Sequence, residues 1–507
     1  MELTLLCVVL ACVHARATRY LEVSTRSGKL RGFRETVEGR DVDVFLGVPY
    51  ARPPVGPLRF RRPQMTSPWS TTLDATRHPP ACYQQVDESF ERFQGVEMWN
   101  PNTNMSEDCL YLNIWAPADK GPSAGGETKA RTVMVWIYGG SFSSGSANLD
   151  VYDGRILAAT NDVVVVSMQY RMGALGFLYL DVPEAPGNMG LLDQLMALQW
   201  VYNNIRAFGG DSHAITLFGE SSGAASVGLH LLSPLSRKLV RYAIMESSSA
   251  LSPWAVDLPS VARARATSLA DSLGCDARDV TPATAIFECI ARHDARTISA
   301  TMWTIPDRSH IPTPFVPTVD RYFLRDHPSN VLRKQRFKKT PVLMGVNEHE
   351  GSYFLVYIFP DVVTLNASRR ISRAEFVRSL PTLVPQSRAD DVTAASVSFE
   401  YGVPYRHGGA TVDYRDVMEG LLGDVAFICP VVDFADAFAD AGLPVYVYRF
   451  THRTSQNAWP AWMGAMHGYE IDHVFGCPLN VSLNYTRAEA ELSRRLMTYW
   501  TNFAKFG

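Results

Sequence analysis

The 507-residue sequence has no excess of charge of either sign and no apolar run long enough to cross a membrane. Its 48 lysines and arginines face 51 aspartates and glutamates, so nothing indicates a basic surface that would bind nucleic acid. No stretch of 18 consecutive apolar residues occurs, so no membrane-spanning helix is indicated. Internal repeats and low-complexity linkers are also lacking. What remains is a globular composition, 46% hydrophobic and 20% charged, with enough apolar residues for a large core.

The N-terminus has an apolar run without the basic residues that usually precede one. Leu3–Val13 is apolar, and Ala15-Arg16-Ala17 has the small-residue pattern of a cleavage site. We therefore predict a secretory signal peptide over residues 1–17, with a buried first strand or helix as the alternative. Its removal would take Cys7 and Cys12 and leave six cysteines, an even number that favours disulfides in a secreted chain. Glycosylation sequons also support export, and they begin at Asn104, Asn366, Asn480 and Asn484.

Short apolar runs alternate with helical patterns along most of the chain. The runs TVMVWIYGG, DVVVVSMQY and AITLFG are typical of strands buried on both faces of a parallel sheet, as are TPVLMGV and LPVYVYRF. Between such runs lie amphipathic helical patterns, for example GNMGLLDQLMALQWVYNNIRAF. This alternation predicts one α/β fold.

A G-x-S-x-G pattern occurs where a predicted strand turns into a helix of small residues. In FGESSGAASV, Gly219 and Gly223 lie two residues on either side of Ser221, as the tight turn of a nucleophile elbow requires. The turn would lift the Ser221 hydroxyl above the sheet and place the Ser222 N–H at a helix N-terminus, where it can face an oxyanion. Ser222 has no glycine two places before it. We predict Ser221 as a nucleophile and Ser222 as a backbone donor; an ordinary tight turn is the alternative.

A serine nucleophile needs an acid and a histidine base, which follow it in that order in α/β hydrolases. The stretch VLMGVNEHEGSYF carries Glu348 and Glu350 just after a predicted strand. The stretch WPAWMGAMHGYEIDHVFG carries His467 in a loop flanked by glycines. Twelve histidines occur in the chain, so spacing alone does not select this one.

Several stretches resemble the type-B carboxylesterase family and, within it, the cholinesterases, among which the acetylcholinesterases are most similar. They are FLGVPYARPPVGPLRFRRP, EMWNPNTNMSEDCLYLNIWAP, GESSGAASVGLHLLSP, GVNEHEGSYFLVY and WPAWMGAMHGYEIDHVFG. The resemblance implies a single α/β-hydrolase domain over residues 18–507, with a large central, mostly parallel sheet flanked by helices. It also implies a triad of Ser221, Glu350 and His467, in which Glu350 orients the histidine and Glu348 is a loop residue.

The stretch WIYGGSFSSGSA follows a predicted strand at the place where the family has a glycine-rich oxyanion loop. The residues alone leave Gly139 or Gly140 open as a donor, and an ordinary turn is the alternative. The resemblance assigns the backbone N–H donors to Gly140 and Ser141, together with Ser222. Cholinesterases usually have a third glycine where this chain has Ser141. We expect its side chain to narrow the acyl site and to slow the reaction with bulky acyl or phosphoryl inhibitors.

A choline ester carries a quaternary ammonium group, which aromatic faces and diffuse negative charge can recognise. The resemblance implies Trp99 as the main platform and Glu220 as the nearby charge, although core packing is the alternative for any tryptophan. It implies a rim, where a cation first binds, formed by Asp87, Trp303 and Tyr357. Further substrate-binding residues implied by the resemblance are Tyr152, Tyr353, Phe354, Trp254, Trp459, Ile311 and Thr313.

Two departures from the family bear on the substrate. Ile311 and Thr313 stand at acyl-pocket positions where many acetylcholinesterases have bulky aromatic residues, and Gln85 and Ser143 replace tyrosines of the rim. We expect a serine esterase that hydrolyses acetylcholine and other choline esters through an acyl-serine intermediate, without metal or organic cofactor. The alternatives are a general carboxylesterase for neutral esters and a catalytically weak, cholinesterase-like protein that binds ligands.

The resemblance also bears on the cysteines and on the end of the chain. In the family Cys429 would pair with a cysteine beyond the last residue here, so we expect a truncated C-terminus; otherwise Cys429 pairs with Cys477 or stays free. We expect a secreted protein, with a homodimer as a candidate assembly and membrane attachment only through a C-terminal tail that is absent here. Implied disulfides and buried ion pairs are Cys82–Cys109, Cys275–Cys289, Arg59–Glu107 and Arg171–Asp193.

Overall fold

The computed structural model describes residues 19–118, 130–275, 281–305, 311–384, 390–401 and 413–507. The predicted signal peptide and its two cysteines lie outside these residues. Within them, the strands form one eleven-stranded sheet and two small two-stranded sheets. The strands of the large sheet are β1 (Arg19–Ser24), β2 (Lys29–Val37), β3 (Arg40–Pro49), β4 (Leu73–Asp74), β7 (Tyr111–Pro117), β8 (Arg131–Ile137), β9 (Val164–Met168), β12 (Gly210–Glu220), β13 (Tyr242–Glu246), β14 (Val342–Asn347) and β15 (Val445–Phe450). The small sheets pair β5 (Ala81–Cys82) with β6 (Met105–Ser106) and β10 (Tyr179–Val182) with β11 (Ala185–Pro186).

The large sheet is mixed, and its functional half is parallel. Its order is β1-β2-β3-β7-β9-β8-β12-β13-β14-β15, with β4 beside β2. Neighbours from β9 through β8 to β15 run parallel. Neighbours from β1 through β2, β3 and β7 to β9 run antiparallel, and the short β4 pairs parallel with β2. Strands β9 and β14 are buried at every residue, as the continuous apolar runs predicted. The predicted α/β architecture is confirmed.

Helices cover both faces of the sheet and connect the parallel strands. The longest, α16, begins with a capping box in which Thr486 and Glu489 bind each other's backbone N–H groups. None of the described helices combines the length and the apolar character that a membrane span requires. The helices are α1 (Gln94–Glu97), α2 (Arg155–Asn161), α3 (Gly173–Phe177), α4 (Met189–Asn204), α5 (Ser222–Leu232), α6 (Pro259–Ser272), α7 (Ala283–Ile290), α8 (Ala295–Thr301), α9 (Pro328–Arg333), α10 (Ser352–Ile358), α11 (Arg373–Leu383), α12 (Asp391–Glu400), α13 (Arg415–Gly423), α14 (Cys429–Ala439), α15 (Ile471–Phe475) and α16 (Arg487–Phe506).

Covalent and ionic links hold the loops of this fold. Both implied disulfides, Cys82–Cys109 and Cys275–Cys289, are present. Both implied ion pairs are also present, and in the buried one Arg171 binds Asp193 through two guanidinium nitrogens, at 2.7 and 2.8 Å. The alternative pairing of Cys429 with Cys477 is wrong: both are free thiols, because Cys429 is exposed at the start of α14 while the Cys477 thiol points to the Val151 carbonyl.

Candidate active site

The elbow after β12 holds its serine in a strained conformation. Ser221 has φ 57° and ψ −124°, outside the regions that a residue with a side chain ordinarily occupies. Its N–H donates to the Glu246 carbonyl at the end of the neighbouring strand β13, and α5 begins at the next residue. The turn therefore projects the Ser221 side chain from the carboxyl edge of the parallel sheet, where ligands bind in such folds.

The two glycines of the motif are required by the close approach of β8. A Cβ atom on Gly219 would lie 2.6 Å from the Ile137 carbonyl oxygen, and one on Gly223 would overlap the same oxygen. Ile137 is the last residue of β8 and pairs with Gly219 in the sheet. The glycine-rich loop after β8 therefore lies directly beside the elbow.

His467 and Glu350 meet at this edge, although 117 residues separate them. Glu350 follows β14 and is completely buried, and its Oε2 lies 2.6 Å from His467 Nδ1. Its other oxygen, Oε1, accepts the Asn347 N–H at 2.7 Å. The hydrogen bond between Glu350 and His467 sets the tautomer of the histidine. Nδ1 carries the proton that faces the carboxylate, so Nε2 is left to face the cavity.

Residues at the end of β14 also hold the loop that carries His467. Asn347 Nδ2 donates to the Met466 carbonyl at 2.8 Å and to Glu470 Oε2 at 2.6 Å. The His349 N–H donates to the Ala465 carbonyl at 3.0 Å. The imidazole of His467 is further confined between aromatic rings, since the ring centroids of Phe354 and Phe427 lie 5.0 and 4.5 Å from its own.

The second ring nitrogen of His467 faces a carboxylate as well as the cavity. Nε2 lies 3.0 Å from Glu220 Oε1, yet neither atom has a hydrogen-bond partner, so this contact lacks hydrogen-bond alignment. In the described part of the chain no hydrogen bond joins His467 to Ser221. Such bonds are often long in ligand-free sites and shorten when substrate binds.

Four buried glutamates lie in this part of the structure: Glu220, Glu350 and Glu470, which act on His467, and Glu246, which acts on Glu220 and Glu470. Burial raises the pKa of Glu220 to about 8, against the opposing effect of His467 and with repulsion from Glu470 and Glu350. Burial and repulsion from Glu350 raise the pKa of Glu470 to about 7, and burial raises that of Glu246 well above its ordinary value. Burial alone would lower the pKa of His467, but the carboxylates of Glu220 and Glu350 outweigh it and raise the pKa to about 9.

The loop after β8 offers backbone donors to the space above Ser221. Gly140, Ser141 and Phe142 have positive φ angles of 104°, 55° and 58°. The N–H groups of Gly140, Ser141 and Ser222 have no acceptor within the described residues. Ser222 begins a helix, and the first N–H groups of a helix ordinarily lack an acceptor. The Ser141 side chain lines the cavity, where a glycine would leave space.

These elements surround a cavity of about 580 Å³. It is large enough for a small organic ligand and has both apolar walls and polar groups. The clusters of side chains that could ligate a metal ion in the described chain lie outside it. The predicted site residues that line the cavity are Ser221, His467, Gly140, Ser141, Trp99, Glu220, Tyr152, Tyr353, Phe354, Ile311, Asp87, Trp303 and Tyr357.

Comparison with known proteins places this site in a family. The model of the carboxylesterase family matches residues 19–507. The chain belongs to the carboxylesterase family. It is 48% identical to acetylcholinesterase from Bungarus fasciatus over 509 aligned residues, which cover 100% of this chain and 82% of that relative. It is 46% identical to cholinesterase from Mus musculus over 487 residues, which cover 96% of this chain and 78% of that relative. The resemblance and the α/β-hydrolase fold inferred from the sequence are confirmed.

In this carboxylesterase, an aromatic face and a carboxylate border the same space beside His467. A Cβ atom placed on Gly468 would lie 3.5 Å from Glu220 Oε1 and 3.6 Å from Trp99 Cη2. Tyr152 closes the far side, with its ring centroid 6.4 Å from that of Trp99. A quaternary ammonium group placed here would contact a π face and a negative charge together.

At the mouth of the cavity, a carboxylate accepts a hydrogen bond from one tyrosine, which is in turn next to a second. The Tyr357 hydroxyl donates to Asp87 Oδ2 at 2.9 Å, and the Tyr353 hydroxyl lies 3.4 Å from that of Tyr357. Trp303 is 40% exposed at the same mouth. The predicted rim residues therefore share one end of the cavity, and the exposed Gln85 lines it with them.

Some predicted substrate-binding residues lie behind the cavity wall instead of on it. Trp254 is buried against Phe142 and Phe427 and donates from Nε1 to the Ala426 carbonyl. Trp459 packs behind Tyr353 and donates to the Gly95 carbonyl at 3.3 Å. Thr313 and Ser143 are also buried and do not line the cavity. The large aromatic side chains of Trp254 and Trp459 support the residues of the cavity wall. Any effect of these two tryptophans on the substrate would therefore pass through the wall residues.

Three features of the site were not foreseen from the sequence. Phe427, which contacts the His467 ring, lies in a π-helical turn, Asp424–Ile428, a rare irregularity often found at functional sites. The carboxylates of Glu246 and Glu470 were also missed. Glu470 follows His467 by only three residues, and Glu246 ends the strand next to the elbow. A polar residue at the carboxyl end of a buried strand was the available signal.

Proposed function

We propose that this carboxylesterase is a serine esterase that hydrolyses choline esters, with acetylcholine as a substrate. Ser221 is the nucleophile, His467 the general base and acid, and Glu350 the residue that orients His467. The observation that carries this proposal is the buried Glu350–His467 hydrogen bond beside the strained Ser221, in a cavity with Trp99. The names of the two relatives, acetylcholinesterase and cholinesterase, support the substrate class.

The protonation of His467 must change before the reaction can begin. The pKa values of Glu220 and His467 are both raised, so the two groups share one proton, and while it lies on His467 Nε2 the imidazolium cannot accept the proton of Ser221. A quaternary ammonium between Trp99 and Glu220 supplies Glu220 with another cationic partner and repels the imidazolium. The proton of Nε2 then passes to water through the open cavity, and neutral His467 turns to Ser221. In this way the cationic part of the substrate prepares the base.

Acylation and deacylation then use the same groups in turn. His467 Nε2 takes the Ser221 proton as Oγ attacks the ester carbonyl, and the tetrahedral oxyanion accepts bonds from the N–H groups of Gly140, Ser141 and Ser222. His467 returns the proton to the leaving choline oxygen, which yields acyl-serine and free choline. Water then attacks the acyl-serine with His467 as base, and the acid is released while Ser221 is regenerated.

The acyl side of the cavity sets the size of the acid that fits. Ile311 and Phe354 line it, and Ser141 intrudes from the oxyanion loop. An isoleucine in place of a larger aromatic ring widens the site, whereas the Ser141 side chain narrows it near the reacting carbon. We therefore propose a site that accepts acetyl and somewhat larger acyl chains but reacts slowly with bulky phosphoryl groups.

The decisive experiment compares acetylcholine, butyrylcholine and a neutral aryl ester as substrates, with Ser221→Ala as the control. We expect the choline esters to be hydrolysed with higher kcat/KM than the neutral ester, and no turnover by Ser221→Ala. Equal kcat/KM for charged and neutral esters would instead support a general carboxylesterase, an alternative favoured by Ile311 and Gln85. Absence of any turnover would leave a protein that only binds such ligands.

We also propose that the chain is exported and glycosylated. All four sequon asparagines, Asn104, Asn366, Asn480 and Asn484, are exposed. Expression of residues 1–507 in a secretory cell should yield protein in the medium whose mass falls on treatment with an N-glycosidase. Retention inside the cell without glycan would refute this. Dimer formation, a further proposal from the resemblance, is measured by sedimentation of the same material.

A further inference from the structure

A second group of polar side chains lies outside the active-site cavity and joins three segments. His452 follows β15, His473 lies in α15, and Glu489 caps the N-terminus of α16. The ligand atoms of these three residues all lie within 4.8 Å of one another. Residues far apart in sequence therefore present two imidazoles and one carboxylate to a common point.

The distances suit ligands of one ion. His452 Nε2 lies 3.2 Å from Glu489 Oε1, and the ring centroids of His452 and His473 lie 5.6 Å apart, nearly perpendicular. Two ligand atoms bound to one zinc ion at about 2.0–2.2 Å with a near-tetrahedral angle are separated by a little over 3 Å. The His452–Glu489 pair already has this separation, and a ring nitrogen of His473 lies within 4.8 Å of a ligand atom on each of the other two residues.

His473 packs among aromatic rings, which leaves its two ring nitrogens without a partner. It is completely buried, and neither Nδ1 nor Nε2 has a hydrogen-bond partner. Among the described residues, the other completely buried histidine is His230, which is bonded through Nε2 to Gln194 at 3.0 Å. Leaving both nitrogens of an imidazole without a partner costs free energy, so such a side chain needs an explanation.

Hydrogen bonds from neighbouring residues orient the carboxylate of Glu489, as the outer-shell partners of a metal ligand do. Oε1 accepts from the Ser455 N–H and the Thr454 hydroxyl, besides His452. Oε2 accepts from the Ser455 hydroxyl and from the N–H and hydroxyl of Thr486. Both oxygens of Glu489 are thus fixed in place, with Oε1 next to His452 Nε2.

We propose that His452, His473 and Glu489 bind one zinc ion per chain. Two imidazole nitrogens and one carboxylate oxygen are a ligand set that zinc accepts, with water as the fourth ligand. The ion replaces the proton that His452 shares with Glu489 Oε1. The His452 side chain is 41% exposed, so zinc and its water reach the site from solvent.

Zinc at this position ties α16 to the segment that carries His467. Residues 468–470 connect His467 to α15, and Glu470 of that segment is bonded to Asn347 beside Glu350. Zinc binding should therefore stabilise the fold without entering the reaction. We expect the melting temperature to rise with zinc concentration, because a ligand that binds only the folded state stabilises it.

The test uses the full chain after treatment with EDTA, titrated with zinc in a calorimeter. His473→Phe and His452→Gln each remove a ligand, and His213→Gln removes an exposed histidine of β12 as the matched control. We expect one site in the unmodified chain and in His213→Gln, with affinity at least about tenfold lower in the two ligand variants. Cobalt in place of zinc should give the intense visible spectrum of a four-coordinate ion, which both ligand variants lose.

Two outcomes would overturn the proposal. One is failure of the EDTA-treated chain to bind zinc above the level of a non-binding protein. The other is equal zinc affinity in all four proteins, which would place the ion elsewhere, for example at Glu220 and His467. If His473→Phe does not fold, His452→Gln decides the question, because its side chain is at the surface.

Discussion

Replacement of Glu220 by glutamine should change kcat/KM in opposite directions for two kinds of ester. It should raise kcat/KM for neutral esters at low pH and lower it for cationic esters. Glu220→Gln keeps the shape of the side chain and removes its charge. In the folded protein Oε1 of this residue lies 3.0 Å from His467 Nε2 and close to the face of Trp99. One carboxylate thus raises the pKa of the proposed base and attracts the proposed substrate.

The size of the effect follows from the distance. Opposite unit charges 3.0 Å apart attract by about 5 kcal/mol at an effective dielectric constant of about 20, and one pKa unit corresponds to about 1.4 kcal/mol. Desolvation of the charged pair offsets part of this attraction. We therefore expect the pKa of His467, now raised to about 9, to fall by at least about one unit in Glu220→Gln.

The direction of the change in kcat/KM differs between the two substrates. His467 acts as a base only when neutral, so a lower pKa moves the acidic limb of the kcat/KM profile to lower pH. The profile measured with a neutral aryl ester should shift by that amount. For acetylcholine, loss of the charge beside Trp99 should lower kcat/KM on the plateau by about tenfold, or about 1.4 kcal/mol, close to the ~1 kcal/mol of one charge contact at about 4 Å in water.

The control is Glu88→Gln, which removes an exposed carboxylate from the same cavity at a position without contact to His467. Its neutral-ester profile should coincide with that of the unmodified chain. An unmoved profile in Glu220→Gln would refute the reasoning, because Glu220 would then have no part in the protonation of His467. Equal loss of activity toward both esters at all pH values would point to a structural role alone.

Other substitutions test separate parts of the site and fold. Trp99→Ala should raise KM for acetylcholine by about 3–30-fold with little change for the neutral ester, since one cation–π contact contributes about 0.5–2 kcal/mol. Ser141→Gly should speed inactivation by bulky organophosphates and relieve a left-handed φ of 55°; unchanged inactivation rates would contradict the crowding argument. Asp193→Asn should lower the free energy of unfolding, measured in urea, by about 3–5 kcal/mol, because Arg171 would remain buried without its counter-charge.

The sequence was most informative where one local constraint determines the structure. Continuous β-branched runs predicted the buried strands β9 and β14, and the glycines around Ser221 predicted a tight turn because no side chain fits against Ile137. His467 could not be selected in this way. Its position depends on the loop held by Asn347 and on the pairing with Glu350, which are contacts between distant segments.

The sequence was least informative about which aromatic residues reach the cavity. Trp254 and Trp459 are residue types that often bind ligands, but they lie behind the cavity wall. Their indole N–H groups are bonded there to the carbonyls of Ala426 and Gly95. Phe427 reaches the His467 ring from a π-helical turn that no periodicity predicts. The conformation of one helical turn therefore decides whether an aromatic ring faces the cavity or the core.

The cluster of buried glutamates explains why a cation should be the preferred ligand of this cavity. Burying a carboxylate is unfavourable unless it is paired, and Glu220, Glu350 and Glu470 all act on one histidine, His467, while Glu246 lies next to Glu220 and Glu470. Protonation of Glu220 and Glu246 relieves part of the repulsion, as their raised pKa values indicate. A ligand with a permanent positive charge relieves it without a proton. A cation beside Glu220 therefore favours the ionised form of this carboxylate and is attracted by it, which a neutral ester of the same shape is not.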